Sequence, residues 1–356
     1  MLEVSEGVPL APMTTIGIGG PARYFAPVRS VDDVAAAVEW SRRQRVPLFV
    51  LGGGSNLLIA DEGFPGLVAR IEMSGITVES VDDFAMVKAA AGEPWDSFVA
   101  RVVEKEWAGV ECLSGIPGLI GGTPIQNVGA YGQEVAETIA RVEAFDRETS
   151  RIEWFTNAEC EFSYRQSRFK GRDRGRFVVL SVTYRLRCSG APTVRYPDLQ
   201  RYLLDQQISH PALRDVRAAV IAVRKRKGMV VDPKDPDSRS DGSFFMNPVL
   251  SDDEMATFRR RVEGDFPTFP AEGGTKLSAA WLIEQAGFTR GTRRGNVGLS
   301  TKHTLAIVNR GGATAAEVIE LVGEIQASVR EEFGVGIQPE PVFVGFEEGD
   351  PSLRSG

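Results

Sequence analysis

The chain has 356 residues, too many for one ordinary hydrophobic core and suited to two or three packed units. Apolar residues make up 42% and charged residues 25%, proportions of a folded globular chain rather than a disordered or fibrous one. A net charge of −7 argues against non-specific binding to nucleic acid or to anionic membrane surfaces, so the expected partner is a small molecule.

No apolar run approaches the ~20 residues needed to span a bilayer. The opening MLEVSEGVPLAPM has neither the basic start nor the apolar stretch of a secretory signal, and a cytoplasmic location is expected. Cys112, Cys160 and Cys188 are odd in number and far apart, which suits reduced, mostly buried thiols rather than a disulfide framework.

In chain order, an acidic turn and a stripe through Val34 and Val38 predict a helix over 31–46. PLFVL reads as a buried strand, GGGSN follows it, and NLLIA is a second apolar run. Trp95, Phe98, Val99, Val102 and Val103 predict a helix over 95–108. Residues 112–132 are so rich in glycine and proline that only a shaped loop fits. A hairpin is expected over 141–155, with FVVLSVTYRL at 177–186 as a third strand of its sheet. A helix over 213–227 ends in basic residues and glycine, and VVDPKDPDSRSDG reads as a boundary loop. Beyond it, GSFFMNPV reads as strand or turn, KLSAAWLIEQAGF as a helix and TLAIVN as a strand. Thr314 and Glu317 form a capping box for a last helix that Gly334 ends. The fold class is α+β.

Leu51-Gly52-Gly53-Gly54-Ser55-Asn56 can bring several backbone N–H groups to a pyrophosphate, or can be a tight turn between strands; the local motif leaves both open. It is not a dinucleotide fingerprint, because the G-x-G-x-x-G spacing and the following helix are missing, and Gly273-Gly274-Thr275-Lys276 lacks the first glycine of a phosphate-binding P-loop. A second glycine-rich stretch, with Gly115, Gly118, Gly121, Gly122, Gly129 and Gly132, tips the balance towards an extended ligand lying on bare backbone. With only His210 and His303, and with scattered cysteines, neither a metal site nor a Ser-His-Asp hydrolase is expected; an organic cofactor is.

TTIGIGGPARYF, LGGGSNLLI, GIPGLIGGTPIQNVGAYG, CEFSYRQSRFK, GSFFMNPV, KLSAAWLI and QPEP stand in the order and spacing of the UDP-N-acetylenolpyruvoylglucosamine reductases. The resemblance covers nearly the whole chain, and Tyr196 in VRYPDL makes it similar to the longer of the two classes in that family. It implies a two-unit FAD-binding fold of the vanillyl-alcohol-oxidase/PCMH type, as subdomains 1–72 and 73–212, with a substrate-binding domain over 213–340 that closes on the sugar nucleotide. A C-terminal strand within 341–356 would return to the first subdomain.

The resemblance also implies the activity: NADPH-dependent reduction of UDP-N-acetylglucosamine enolpyruvate to UDP-N-acetylmuramate through bound FAD, in peptidoglycan precursor synthesis, by a monomer without nucleic-acid or membrane partners. Residue by residue, Arg165 in SYRQS, Ser243 in GSFF and Glu340 in QPEP match the catalytic positions. Gly52, Gly53, Gly54, Ser55, Asn56 and Leu57 match FAD-binding positions, as do Ile116, Pro117, Gly121, Gly122, Thr123, Ile125, Asn127, Gly129, Ala130 and Tyr131. Tyr196, Lys227 and Asn247 match substrate contacts, and Lys276 and His303 align near the nucleotide or nicotinamide. Apart from the resemblance, a lone Arg is usually a solvated or salt-bridging side chain, a Ser after Gly a turn residue, and a Glu between prolines an exposed one. Two other classes stay open on the residues alone: a flavin oxidase of another alcohol or lactone, and a nucleotide-binding protein without turnover.

Overall fold

A computed structural model describes residues 2–346. They divide into two compact units: one comprises the chain up to Val8, Ala22–Gly54 and Pro65–Arg226, and the other Pro9–Pro21, Ser55–Phe64 and the chain from Lys227 onward.

The first unit holds two large sheets and one small two-stranded sheet. A four-stranded one runs in the order Ser5–Pro9, Pro21–Val28, Phe64–Ile71, Leu48–Leu51, the last two parallel. Helix α1, Val31–Gln44, starts where Ser30 Oγ accepts from Asp33 N at 3.1 Å and stops where Arg45 turns left-handed at φ 56°. Its Val34, Ala37 and Val38 are buried, as the apolar spacing demands.

The second sheet is antiparallel, in the order Arg151–Thr156, Ile139–Asp146, Phe177–Cys188, Phe84–Ala90, Ile76–Val81. The expected hairpin and third strand are therefore adjacent. Helix α2, Trp95–Glu104, lies on this core through Trp95, Phe98, Val99, Val102 and Val103, four residues shorter than its apolar pattern suggests. Glu106 and Gly109 take φ of 57° and 132°, and between them Trp107–Ala108 pairs with Arg187 and Cys188 as a short strand. Helix α3, Pro197–Asp205, with Leu199, Tyr202 and Leu203 at helical spacing, packs Leu199 and Leu203 on Val216, Ala219, Val220 and Val223 of helix α4, Leu213–Arg226.

The second unit has short sheets around its helices. Val249–Leu250, Gly274–Leu277 and Thr268–Ala271 form one; Arg293–Arg294, Val297–Leu299 and Ile307–Asn309 form another. Helix α5 is Asp252–Arg259. The single helix expected over KLSAAWLIEQAGF is a strand and then a helix: Ser278 Oγ accepts from Trp281 N at 3.3 Å and starts helix α6, Ala279–Gln285.

Helix α7, Ala315–Phe333, has both bonds of the capping box at Thr314 and Glu317, the buried stripe Val318, Leu321, Val322, Ile325 and Val329, and Gly334 at φ 69°. Asp61 also accepts from the N–H groups of Ala315 and Ala316 at 2.8 and 3.0 Å, satisfying two donors that the helix cannot. Val342–Val344 pairs in parallel with Leu57–Ile59. The rest of the C-terminal strand expected within 341–356, beyond residue 346, lies outside the described residues.

Candidate functional site

The second glycine-rich stretch belongs to the first unit and is clamped by two helices. The start of α2 takes it by Trp95, whose N donates to Gly118 O and whose indole Nε1 donates to Leu113 O, both at 3.0 Å. Asp96 accepts from Gly115 N at 2.6 Å and pairs in bidentate fashion with Arg217 of α4, at 2.6 and 3.0 Å. Burial acts to raise the Asp96 carboxyl, but the Arg217 and Gly115 donors outweigh it and hold it below its ordinary range. Arg224, the buried member of the basic run at the end of α4, donates to Gly115 O at 3.3 Å; burial lowers its pKa.

Against this clamped stretch lies the first glycine loop. A Cβ on Gly53 would stand 2.6 Å from Gly118 Cα, so the two loops meet backbone to backbone and a side chain at 53 would force them apart. Beside that contact, a Cβ on Gly52 or Gly122 would meet nothing within 4 Å. Side-chain-free backbone with open space before it, held by a rigid frame, lets a phosphate chain approach closely. Gly121 is closed by comparison, a Cβ on it standing 2.8 Å from Ala91 Cβ; the N–H groups of Gly121 and Gly122 are both engaged, donating to Ala91 O at 2.9 Å and to Leu119 O at 3.0 Å. The loop passes from the first unit to the second between Gly54 and Ser55. Within the second unit, Asn56 and Leu57 join the strand pair with 342–344: Val342 N donates to Asn56 O at 3.0 Å.

Several side chains matched to FAD positions are committed to the frame. Thr123 is buried, donates to Ile120 O at 2.8 Å and hydrogen-bonds the Tyr184 hydroxyl at 2.6 Å. Asn127 is buried, donates to Glu134 Oε2 at 2.8 Å and Ser163 O at 3.0 Å, and accepts from Ala136 N at 3.1 Å. Ile116 and Pro117 are half-buried, and Ile125 O accepts from Ser167 Oγ at 2.6 Å. Gly129 and Ala130 form a two-residue strand with Gln133 and Glu134, and Tyr131 follows at φ 50°. Cys112, at the edge of the stretch, is buried with its sulfur 3.1 Å from Thr193 O, and burial pushes its thiol up to about 12.

Arg165 lies on the same frame. Its Nη2 donates to Gly129 O at 2.7 Å and its Nη1 to Asn127 O at 3.5 Å, while its backbone sits left-handed at φ 56°. Asn127 and Tyr131 share that conformation, at 45° and 50°, and each such non-glycine position costs on the order of 1 kcal/mol. Three neighbours held there mark a place whose shape is imposed by its surroundings.

Ser243 and Glu340 are brought together in the second unit. Phe244 and Phe245 are buried; Phe244 N donates to Leu305 O at 2.7 Å, Phe244 O accepts from Glu340 N at 2.8 Å, and Met246 N donates to Gln338 O at 2.9 Å. Ser243 therefore precedes a residue whose carbonyl is bonded to Glu340 itself. Asn56 Nδ2 donates to Glu340 O at 3.3 Å and fixes the other side of that peptide.

Of the expected substrate contacts, Tyr196 precedes α3 and meets Tyr131 edge to face at 5.3 Å. Asn247 Oδ1 accepts from Ala279 N at 2.9 Å and caps α6. Lys227 and Lys276 are half-buried, the latter in the strand Gly274–Leu277. His303 Nδ1 accepts from Leu305 N at 3.1 Å, and so braces the segment that also receives Phe244 N.

Asp241 ends the polar loop VVDPKDPDSRSDG just before its glycine. It is buried two residues before Ser243, with Thr15 Oγ1 donating to Oδ1 at 3.0 Å and Oδ2 buried without a partner. Burial pushes its carboxyl up to about 8. An acidic residue in a polar loop reads as solvated, and only the tertiary structure reveals this one as enclosed.

Comparison with known proteins adds to this geometry. Residues 21–156 match the family model described as an FAD binding domain, and residues 233–344 match that of the UDP-N-acetylenolpyruvoylglucosamine reductase C-terminal domain. The UDP-N-acetylenolpyruvoylglucosamine reductase of Thermobifida fusca is 50% identical over 350 residues, which span 96% of this chain and 98% of that protein. The chain belongs to the UDP-N-acetylenolpyruvoylglucosamine reductase family. The reductase of Streptomyces avermitilis is 47% identical, over 95% of this chain and 94% of its own. A solved structure of the reductase from Thermus caldophilus superimposes with a TM-score of 0.65 at 27% identity, covering 97% of this chain and 99% of that one. The α+β class thus stands as an FAD-binding domain followed by the reductase C-terminal domain, and the open backbone at Gly52 and Gly122 fits the cofactor. No described helix is long and apolar enough to cross a membrane.

Proposed function

We propose that this protein reduces UDP-N-acetylenolpyruvoylglucosamine to UDP-N-acetylmuramate with NADPH, through bound FAD, in peptidoglycan precursor synthesis. The observation that carries this reading is the bond between Phe244 and Glu340, which holds Ser243 and Glu340 at neighbouring positions in a chain of the reductase family. When bound, FAD supplies the hydride chemistry, taking a hydride from NADPH and giving it to the enolpyruvyl group. Gly52 and Gly122 offer the backbone to its phosphates, with Gly53 and Gly54, and with Ser55, Asn56 and Leu57 after them. The cofactor is held without a covalent link: Cys112, at the edge of the second loop, is the one histidine or cysteine in the two loop sequences, and burial, which pushes its thiol pKa up, disfavours the reactive thiolate.

The chain's own task is to manage charge and a proton. An enolpyruvyl ether is electron-rich, so reduction at its terminal carbon requires its carboxylate to take up negative charge. Arg165 presents a planar fork of donors for that carboxylate, and Glu340 assists it. Ser243 delivers the proton to the other carbon, as a general acid. Tyr196, Lys227 and Asn247 contact the sugar nucleotide; Lys276 and His303 stand near the nucleotide or nicotinamide.

We assign the two large sheets of the first unit to two FAD-binding lobes, 1–72 and 73–212, and residues 213–340 to the substrate domain. The strand contents of the two sheets support the division at 72/73, whereas α4, at the head of 213–340, packs within the first unit. The protein works as a single chain in the cytoplasm. The test is incubation of the purified protein with NADPH and UDP-N-acetylenolpyruvoylglucosamine, followed by mass spectrometry. A gain of two hydrogens in the sugar nucleotide, matched by NADPH consumed, is expected; NADPH consumption without that product would overturn the substrate assignment.

A further inference from the structure

Away from the glycine loops, the first unit contains a cavity of about 320 Å³ lined by α1, by Leu48 and by two neighbouring turns at one end of the antiparallel sheet. Its charged wall comprises Arg42, Arg147, Arg174, Arg176 and Glu148. The carboxylates that answer these cations go to one of them. Asp146, buried behind the wall, holds Arg176 by two bonds at 2.7 and 3.2 Å, and Glu148 reaches the same guanidinium at 3.5 Å. Asp146 is held well below its ordinary range, chiefly by Arg176.

Arg42, Arg147 and Arg174 have no carboxylate partner among the described residues. Arg42 donates to Arg147 O, to Glu148 O at 3.3 Å and to Ser150 Oγ at 3.4 Å; Arg147 donates to Gly175 O at 2.6 Å and Leu48 O at 3.5 Å. Backbone carbonyls orient these guanidinium groups and leave their charge unneutralised. Burial first, and then the like charge of Arg42, lowers the pKa of Arg147, so the two cations repel one another across the wall. Arg174 is exposed at the mouth.

We propose that this cavity is a binding site for a multiply charged phosphate oxyanion of about diphosphate size, separate from the FAD and sugar-nucleotide chemistry. Guanidinium groups match phosphate oxygens with paired donors, and here two of them are already held by backbone carbonyls, so little ordering remains to be done on binding. The volume lies at the lower end of small-ligand pockets, which suits a diphosphate or the diphosphate end of a nucleotide. A bound oxyanion would replace the repulsion between Arg42 and Arg147 with attraction to both.

The experiment is isothermal titration of the FAD-loaded protein with sodium pyrophosphate, with sodium sulfate at matched ionic strength as control, for wild type and for Arg174→Glu. The Arg174 side chain makes no hydrogen bond or ion pair among the described residues, and its backbone bond to Gly171 O does not depend on the side chain, so this variant keeps the fold and the reductase activity. Saturable pyrophosphate binding to wild type, weakened roughly tenfold or more in Arg174→Glu by loss of one attractive charge and gain of a repulsive one, is expected. Equal binding by the two proteins would place the anion at the sugar-nucleotide site and overturn the proposal, as would no saturable binding to wild type or equal affinity for sulfate. Reductase turnover is read on the same samples, so failure of this site is distinguishable from failure of the reductase reading.

Discussion

The stretch 112–132 of the first unit and the segment 241–247 of the second use backbone and side chain in opposite ways. In the first, Thr123 and Asn127 turn their side chains into the frame, and the side-chain-free positions Gly122 and, in the other loop, Gly52 face open space. In the second, the peptide groups of Phe244 and Met246 are bonded to Leu305, Glu340 and Gln338, and this backbone support carries the side chains of Ser243 and Glu340. A cofactor that must be held but not transformed by side chains can rest on backbone; a substrate that must receive a proton needs side chains on a rigid support. Each region therefore has its own characteristic failure when mutated.

The largest effect is expected at Ser243. General acid catalysis is typically worth ~10²–10⁴-fold, and Ser243→Ala should lose about that much when the NADPH-reduced protein is mixed with substrate in stopped-flow. Reduction by NADPH should stay within a few-fold of wild type, and Ser243→Cys should retain more activity than alanine. An alanine variant that reoxidises with substrate at the wild-type rate would make Ser243 a turn residue only.

Glu340→Gln should slow the same half-reaction by roughly tenfold to a hundredfold, since it weakens charge stabilisation without removing the proton donor. The hydrogen bonds of its backbone, from Glu340 N to Phe244 O and from Asn56 Nδ2 to Glu340 O, are unaffected by the change, so the melting temperature should hold. Equal slowing of both half-reactions would argue for a structural role.

The glycine loops break differently. Gly52→Val puts a side chain into open space, so the protein should fold normally but purify with FAD content reduced about tenfold. Gly53→Val drives a side chain into Gly118 and should lose stability as well, by the ~1–3 kcal/mol typical of overpacking. Denaturant titration of the two apoproteins separates these outcomes; if Gly52→Val keeps full flavin content, the phosphates lie elsewhere.

The smallest effect concerns Asp241, which in the folded protein holds its proton up to about pH 8 against an ordinary 3.8. Between those values the unfolded chain carries the charge and the folded one does not, so wild-type stability from this group is intact below about pH 4 and is lost as pH rises towards 8. Asp241→Asn removes that slope: it should melt close to wild type at pH 5 and a few degrees higher at pH 8. Parallel melting curves across that range would show that the carboxyl is solvated.

What could be read from the sequence follows the range of the forces involved. The capping box of α7 and its closing glycine are local, and Thr314, Glu317 and Gly334 suffice to define them. The family motifs are legible for the same reason, each being a short run. The end of α2 is less so, because the apolar pattern continues through Trp107 while a left-handed Glu106 and pairing with Arg187 and Cys188 stop the helix. The meaning of Gly53 depends on Gly118, far along the chain, and that of Asp241 on Thr15. Nothing in the neighbouring residues of either announces its partner.

The central claim is tested most directly by an anaerobic absorbance titration of the purified wild-type protein. The protein should be yellow, one equivalent of NADPH should bleach it, and UDP-N-acetylenolpyruvoylglucosamine should restore the colour in equal stoichiometry. A protein that is colourless, or that NADPH bleaches but the enolpyruvyl sugar nucleotide fails to restore, would contradict the account.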